Sequence, residues 1–144
     1  MRRVLAAVLA IACLYAGPIA HAGAQAGLAD KAERYVGWRE GSAALDRLVR
    51  VNTRRVRWCA ALVRAMFDSP PTGSLAVTGW DSNAIGPVVA SPRRGDLAFW
   101  RHRHIGIVTA VVGGKVCTIS GNRSNRVARS CEPRNKFRKF RRVK

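Results

Sequence analysis

The chain has 144 residues, 48% of them hydrophobic and 24% charged, with 26 Lys+Arg against 8 Asp+Glu and a formal charge of +18. The length suits one domain and excludes a TIM barrel, and the composition excludes disordered, collagen-like, coiled-coil and multi-span membrane classes. Arg supplies 21 of the cations, so the charge predicts attraction to polyanions: anionic lipid, nucleic acid or an acidic cell-wall polymer.

Arg2 and Arg3 precede an almost wholly apolar run from Val4 to Ala20. Ala20-His21-Ala22 and Ala24-Gln25-Ala26 offer small-x-small cleavage patterns. Residues 1–26 therefore read as a secretory signal peptide, and the protein as exported to the periplasm or beyond. An uncleaved anchor is the alternative, but the run is broken by Gly17-Pro18 and falls short of the ~20 residues a span requires. Cys13 is a weak match to a lipid-attachment site, because Ala10 stands where a bulky aliphatic residue is usual. Cleavage leaves Cys59, Cys117 and Cys131. Cys117 and Cys131 lie close together in a strand-rich stretch and can pair in an oxidising compartment, leaving Cys59 as the lone thiol. The alternative is three reduced, buried, inert cysteines. No CxxC or HExxH occurs, and only His102 and His104 remain after cleavage, so a metal site is not expected.

Residues 27–144 form the predicted domain. Asp30 to Val36 reads as a short helix, with Asp30 as N-cap and Gly37 as stop. Gly41-Ser42 opens a second helix, with Leu45, Leu48 and Val49 at helical spacing. Cys59 to Phe67 is a third, ended by Asp68-Ser69-Pro70-Pro71. Residues 68–95 are rich in Gly, Ser, Pro and Asn and read as a long surface loop. Short β-branched or aromatic runs then follow over Leu97–Trp100, Ile105–Val112, Val116–Ser120 and Val127–Ser130, with Gly113-Gly114 as a hairpin signal. Residues 134–144 carry seven Lys or Arg in eleven positions, with Phe137, Phe140 and Val143 between them. They read as a basic tail or a last edge strand. Helices followed by hairpins indicate an α+β fold with an antiparallel sheet, in one domain.

The chemistry centres on Cys59, predicted at the start of its helix, where the helix dipole favours a thiolate. Arg54, Arg55 and Arg57 lie just upstream and reinforce this if they face the sulfur. His104, ahead of Ile105-Gly106-Ile107-Val108, is the candidate base, and Gly106 leaves room beside it. Asn122 is the candidate group to orient the ring. Strand alternation adds a condition. A two-residue Gly113-Gly114 loop pairs 112 with 115 and sends His104 and Asn122 to opposite faces, so the triad requires a three-residue loop or a bulge. The bland alternative is a core cysteine and a surface histidine. His102 is expected to be exposed or substrate-facing, and Asp96 to shape the Gly95-Asp96 turn.

Five motifs stand in order: Trp58-Cys59-Ala60-Ala61-Leu62-Val63, Thr72-Gly73-Ser74-Leu75-Ala76, Pro92-Arg93-Arg94-Gly95-Asp96-Leu97-Ala98-Phe99-Trp100, His104-Ile105-Gly106-Ile107-Val108 and Ser120-Gly121-Asn122-Arg123-Ser124-Asn125-Arg126-Val127. Together with a leading Tyr35-Val36-Gly37-Trp38-Arg39-Glu40, this order resembles CHAP- and NlpC-type cysteine hydrolases of the bacterial cell wall over most of residues 30–143. The resemblance implies a papain-like fold, with an N-terminal helical lobe carrying the nucleophile packed on a small antiparallel β-sheet carrying the base. It also implies cofactor-free hydrolysis of peptidoglycan amide bonds, with Cys59 as nucleophile, His104 as base and acid, and Asn122 as orienting group. Many relatives carry Glu two residues before the Asn; this chain has Ser120. Trp58, Trp80, Trp100 and Ser120 are candidate oxyanion or substrate-groove residues, with core packing the alternative for each Trp and expected for at least two of them.

The expected partner is a peptidoglycan peptide or another anionic envelope polymer, with peripheral membrane contact next and nucleic acid last; the chain is expected to be a monomer. The rival from another class is a non-enzymatic, basic polyanion- or envelope-binding protein. That rival accounts for the charge and the tail but leaves the ordered motifs unexplained. Whether the chemistry would serve an antibacterial toxin or wall remodelling is not written in the sequence, nor is the amide that is cut.

Overall fold

The computed structural model describes residues 27–144; the predicted signal peptide and Cys13 lie outside them. Residues 27–33 are helical (α1), followed by α2 (Ala43–Val49), α3 (Cys59–Ala65) and the single turn α4 (Val77–Trp80). The strands are β1 (Val88–Val89), β2 (Leu97–Trp100), β3 (Ile105–Val112), β4 (Lys115–Arg123), β5 (Arg126–Pro133) and β6 (Phe137–Arg141). They form one six-stranded antiparallel sheet in the order β1-β6-β2-β3-β4-β5. The α+β class expected from the order of helices and hairpins is the one observed.

The helical half is set by local chemistry. Ser42 caps α2 by accepting a hydrogen bond from the Leu45 amide at 3.3 Å, and Leu45 and Val49 are buried one turn apart. Asp46 then ties down the segment leading to α3: its carboxylate accepts from the Thr53 hydroxyl at 2.6 Å and from the Thr53 amide at 3.0 Å. The Thr53 hydroxyl in turn accepts from the Gly41 amide at 2.7 Å. α3 buries Cys59 through Val63 in succession, because it lies between α2 and the sheet and packs on β3 and β4.

Alternation sorts the sheet into two faces. Leu97, Phe99, Ile105, Ile107, Ile119 and Val127 join the helices in the main core. Ala98, Trp100, Val108, Val116, Phe137 and Phe140 form a smaller cluster on the other face. β2 is buried throughout because it has a partner strand on each side and packing on each face.

The β3–β4 hairpin meets the triad's condition by its second route. Gly113 and Gly114, with φ of 56° and 74°, make a two-residue turn that pairs Val112 with Lys115. The register then shifts between Val108 and Ala110, so that Val108 opposes Thr118 and Ile107 opposes Ile119. This bulge reverses the parity set by the turn. The Thr109 carbonyl at the shift accepts from the Arg94 guanidinium at 2.9 Å.

Four expectations require correction. The first helix covers 27–33, so Asp30 lies inside it and is not its cap, and residues 34–37 form a turn. The third helix ends at Ala65 rather than Phe67. Residues 68–95 are not a bare surface loop: they contain α4 and β1, and they bury Trp80 and Ile85 in the main core. Residues 134–144 are neither a fraying tail nor an edge strand. After a 3-10 turn at Arg134–Lys136, β6 enters the sheet between β1 and β2, held by buried Phe137 and Phe140.

Candidate functional site

An open cleft of about 550 Å³ lies where the start of α3 meets β3, β4 and β5. Cys59, His104 and Asn122 all line it, as do Arg57, His102, Arg103, Arg123, Ser124 and Glu132. Each of the three triad candidates comes from a different place in the chain. Cys59 is the first residue of α3, His104 directly precedes β3, and Asn122 lies near the end of β4.

Cys59 is 4% exposed and is a free thiol. Burial pushes its pKa up. The backbone N–H groups of Ile105, Ala60 and Cys59 itself reach the sulfur and oppose that rise, as does the Arg57 charge, without cancelling it. The Ile105 contact matters for geometry, since it sets the sulfur against the residue that follows His104. Of the three upstream arginines, Arg57 alone lines the cleft.

His104 is pushed down from 6.5 to about 4. Burial is the main cause, followed by the neighbouring His102 and the Arg123 charge; Glu132 works the other way. The ring is held edge-on by Trp100 at 4.9 Å and stacks with His102 at 5.9 Å and 15°. Its Nε2 is buried without a hydrogen-bond partner. The resting pair is thus a protonated thiol and a neutral imidazole with one unengaged buried nitrogen. Asn122 has a positive φ of 56°. It shares the cleft with His104, but no described hydrogen bond joins them.

Glu132 and its partners were invisible to sequence reasoning. Its carboxylate accepts from the Trp100 indole N–H at 2.5 Å and pairs with Arg123. Burial works against the charged form, but these two hydrogen bonds outweigh it and hold the carboxyl below its usual range. An acid therefore stands in the site although position 120 holds Ser, and it comes from β5 instead. The available signal was the pairing of Cys117 with Cys131. The two oppose each other across β4 and β5 and are joined by a disulfide, and the next residue is Glu132.

The groove assignment for Trp58, Trp80, Trp100 and Ser120 is corrected, since none lines the cleft. Trp58, Trp80 and Trp100 are at most 3% exposed. Trp58 donates to Glu40 at 3.3 Å and packs on Gly121, where an added Cβ would fall 2.5 Å from the indole. Trp80 donates to the Ser74 carbonyl at 3.0 Å and lies 5.4 Å from the Phe67 ring. Trp100 instead braces His104 from behind. Ser120 is fully buried with its hydroxyl unpartnered. Gly106 does not make room for the imidazole. A Cβ there would meet the Ile119 carbonyl, the Ser120 Cβ and the Trp100 ring.

Asp96 shapes the turn before β2. It is fully buried, accepts from the Arg93 amide at 2.9 Å and pairs with Arg142 at 3.1 Å. His102 is exposed at the cleft rim. No group of three or more His, Cys, Asp or Glu among the described residues is arranged to hold a metal ion. No protein-family model matches the chain, and no curated protein matches it.

Proposed function

We propose that the protein is an exported cysteine amidase or peptidase of papain-like, CHAP/NlpC type that hydrolyses peptidoglycan amide bonds. The observation that carries this reading is the cleft shared by a helix-start thiol and a half-buried neutral imidazole. The fold brings them to the same place, because the Ile105 amide reaches the Cys59 sulfur and His104 is the residue before it.

The chemistry follows from the resting protonation states. The thiol holds its proton, so attack and proton transfer are coupled. The Cys59 sulfur bonds to the amide carbon while its proton passes to the His104 imidazole. The carbonyl oxygen becomes an oxyanion facing backbone N–H groups at the start of α3, a type of contact worth roughly 2.7–4 kcal/mol per donor in other enzymes. The imidazolium protonates the leaving amine and a thioester remains. Water then attacks the thioester, His104 takes the water's proton, and the thiol leaves reprotonated. In this scheme Asn122, which lines the same cleft, steadies the imidazolium while it carries the extra proton. No step requires a metal or cofactor.

The test is digestion of purified peptidoglycan by the wild type and by Cys59→Ala, with the released fragments identified by mass spectrometry. Wild type should release new amine and carboxyl ends, and Cys59→Ala none above background. Equal release by both would overturn the reading. The rival, a basic envelope-binding protein without activity, draws on the charge of +18; it predicts binding to the wall with no fragments from either form.

A further inference from the structure

The cleft carries more positive charge than its chemistry uses. Arg123 is matched by Glu132, but Arg57 and Arg103 also line the cleft and have no ion pair or side-chain hydrogen bond among the described residues. Glu132 is the only carboxylate among the lining residues, and it is already bonded to Arg123 and Trp100. Two arginines therefore line the cleft without an acidic partner among the described residues, each just upstream of one member of the reacting pair: Arg57 two residues before the thiol and Arg103 one residue before the imidazole.

Arg103 is presented by an unusual backbone. Residues 101–103 form a tight turn closed by the Trp100 amide donating to the His104 carbonyl at 3.0 Å, and Arg103 occupies left-handed space at φ 57°. Arginine is not favoured there, whereas Gly, Asn or Asp would be. The turn thus sets Arg103 on the cleft wall, exposed and beside the imidazole. A planar guanidinium matches a carboxylate through two parallel N–H···O bonds.

The geometry points to a carboxylate-binding subsite formed by Arg57 and Arg103, which selects substrates with a free carboxylate within a residue or two of the scissile amide. The inference rests on the proposed hydrolase reading and deepens it by naming the substrate class: acidic peptides, bound by their anion. Concave walls focus the field of the two cations and favour such a ligand over a neutral one.

The test separates this subsite from the catalytic reading. Soluble peptidoglycan peptides, in free-acid and fully amidated forms, are titrated calorimetrically into the Cys59→Ala protein, which binds without turnover. The free acid should bind about tenfold or more tightly, as expected for hydrogen bonds to a charged group. The preference should shrink with added salt, since both arginines are exposed. It should vanish when Arg57→Gln and Arg103→Asn are added, Asn being tolerant of the left-handed turn. Peptides amidated only at the α-carboxyl or only at a side-chain carboxyl then show which anion is read. Equal affinity for both forms, or a preference that survives the two substitutions, overturns the subsite. A preference that behaves as expected in a protein whose wild type cleaves neither peptide supports the subsite and overturns the hydrolase reading instead.

Discussion

His104 titrates far below an ordinary histidine because its ring is half-buried against Trp100, with His102 and Arg123 nearby to disfavour a second positive charge. This links the site to stability. In the unfolded chain the ring takes a proton near pH 6.5, while in the folded protein it resists until about 4. Between those values the unfolded state binds more protons, so folding stability falls as pH drops through the window and then levels off for this group. Asp46, Asp81 and Glu132 act lower down. Their folded pKa values are depressed, so they add stability above the ordinary carboxylate range and lose it on further acidification. Melting temperature should thus decline from pH 7 to pH 4.5, and His104→Gln should flatten that part of the curve. A wild-type melting temperature that is level across this window would refute the buried neutral ring. At this scale, sequence pattern marks the thiol and the imidazole but neither what tunes them nor the carboxylates that titrate below them. Cys59, His104 and Asn122 were identifiable by type and spacing, and they line one cleft. Burial of the ring by Trp100, and the long-range arrival of Glu132, depend on register and packing that no local window contains.

Among the elements, the β4–β5 hairpin carries most of what the site requires beyond the reacting pair. Asn122, Arg123 and Ser124 lie at its turn, and Glu132 near the far end of β5. The Cys117–Cys131 disulfide ties the two strands at directly opposed positions, closing a span of 14 residues. A loop of that size is worth roughly 3 kcal/mol in the chain-entropy account. The double variant Cys117→Ser/Cys131→Ser should melt lower by several degrees. It should also lose activity on peptidoglycan out of proportion to the unfolded fraction, because the bond holds Glu132 beside Arg123 and Trp100. An unchanged melting temperature after the double substitution would show the bond to be dispensable. The strands were legible because β-branched runs alternate with turn residues, and the hairpin's parity requirement could be stated in advance. The choice between a longer loop and a bulge was not legible, since the bulge accompanies a long-range contact, the Thr109 carbonyl accepting from Arg94, that no local window contains. The place of β6 was hidden for a similar reason. A run of cations around Phe137 and Phe140 resembles a solvated end, yet Arg138, Lys139 and Arg141 converge on Asp81 and fasten the strand inside the sheet.

For the whole molecule, the question is where the excess charge goes. The chain has only eight acidic residues, and each has a partner within the fold. Asp30, Glu33, Asp68, Asp81, Asp96 and Glu132 form ion pairs, Asp46 accepts from Thr53, and Glu40 accepts from Trp58. The acids thus stitch elements together, as Glu33 does between α1 and Arg129 on β5. None is left to neutralise the outward field, so the exposed Arg101, Arg134 and Lys136 present their charge to solvent. Such a surface should hold the protein on an acidic wall polymer through screened, long-range attraction rather than through the cleft. The Debye length is about 10 Å at 0.1 M salt and about 3 Å at 1 M, so this attachment should collapse over that range. The measurement is co-sedimentation with intact peptidoglycan sacculi at increasing sodium chloride, using the Cys59→Ala protein so that the wall stays undigested. The bound fraction should fall steeply, and the Arg57→Gln/Arg103→Asn pair should reduce it only slightly, since two cleft cations are a small part of the total. Retention that is insensitive to salt would mean that specific contacts, not net charge, anchor the protein, and the field of the whole molecule would then have no part in its function.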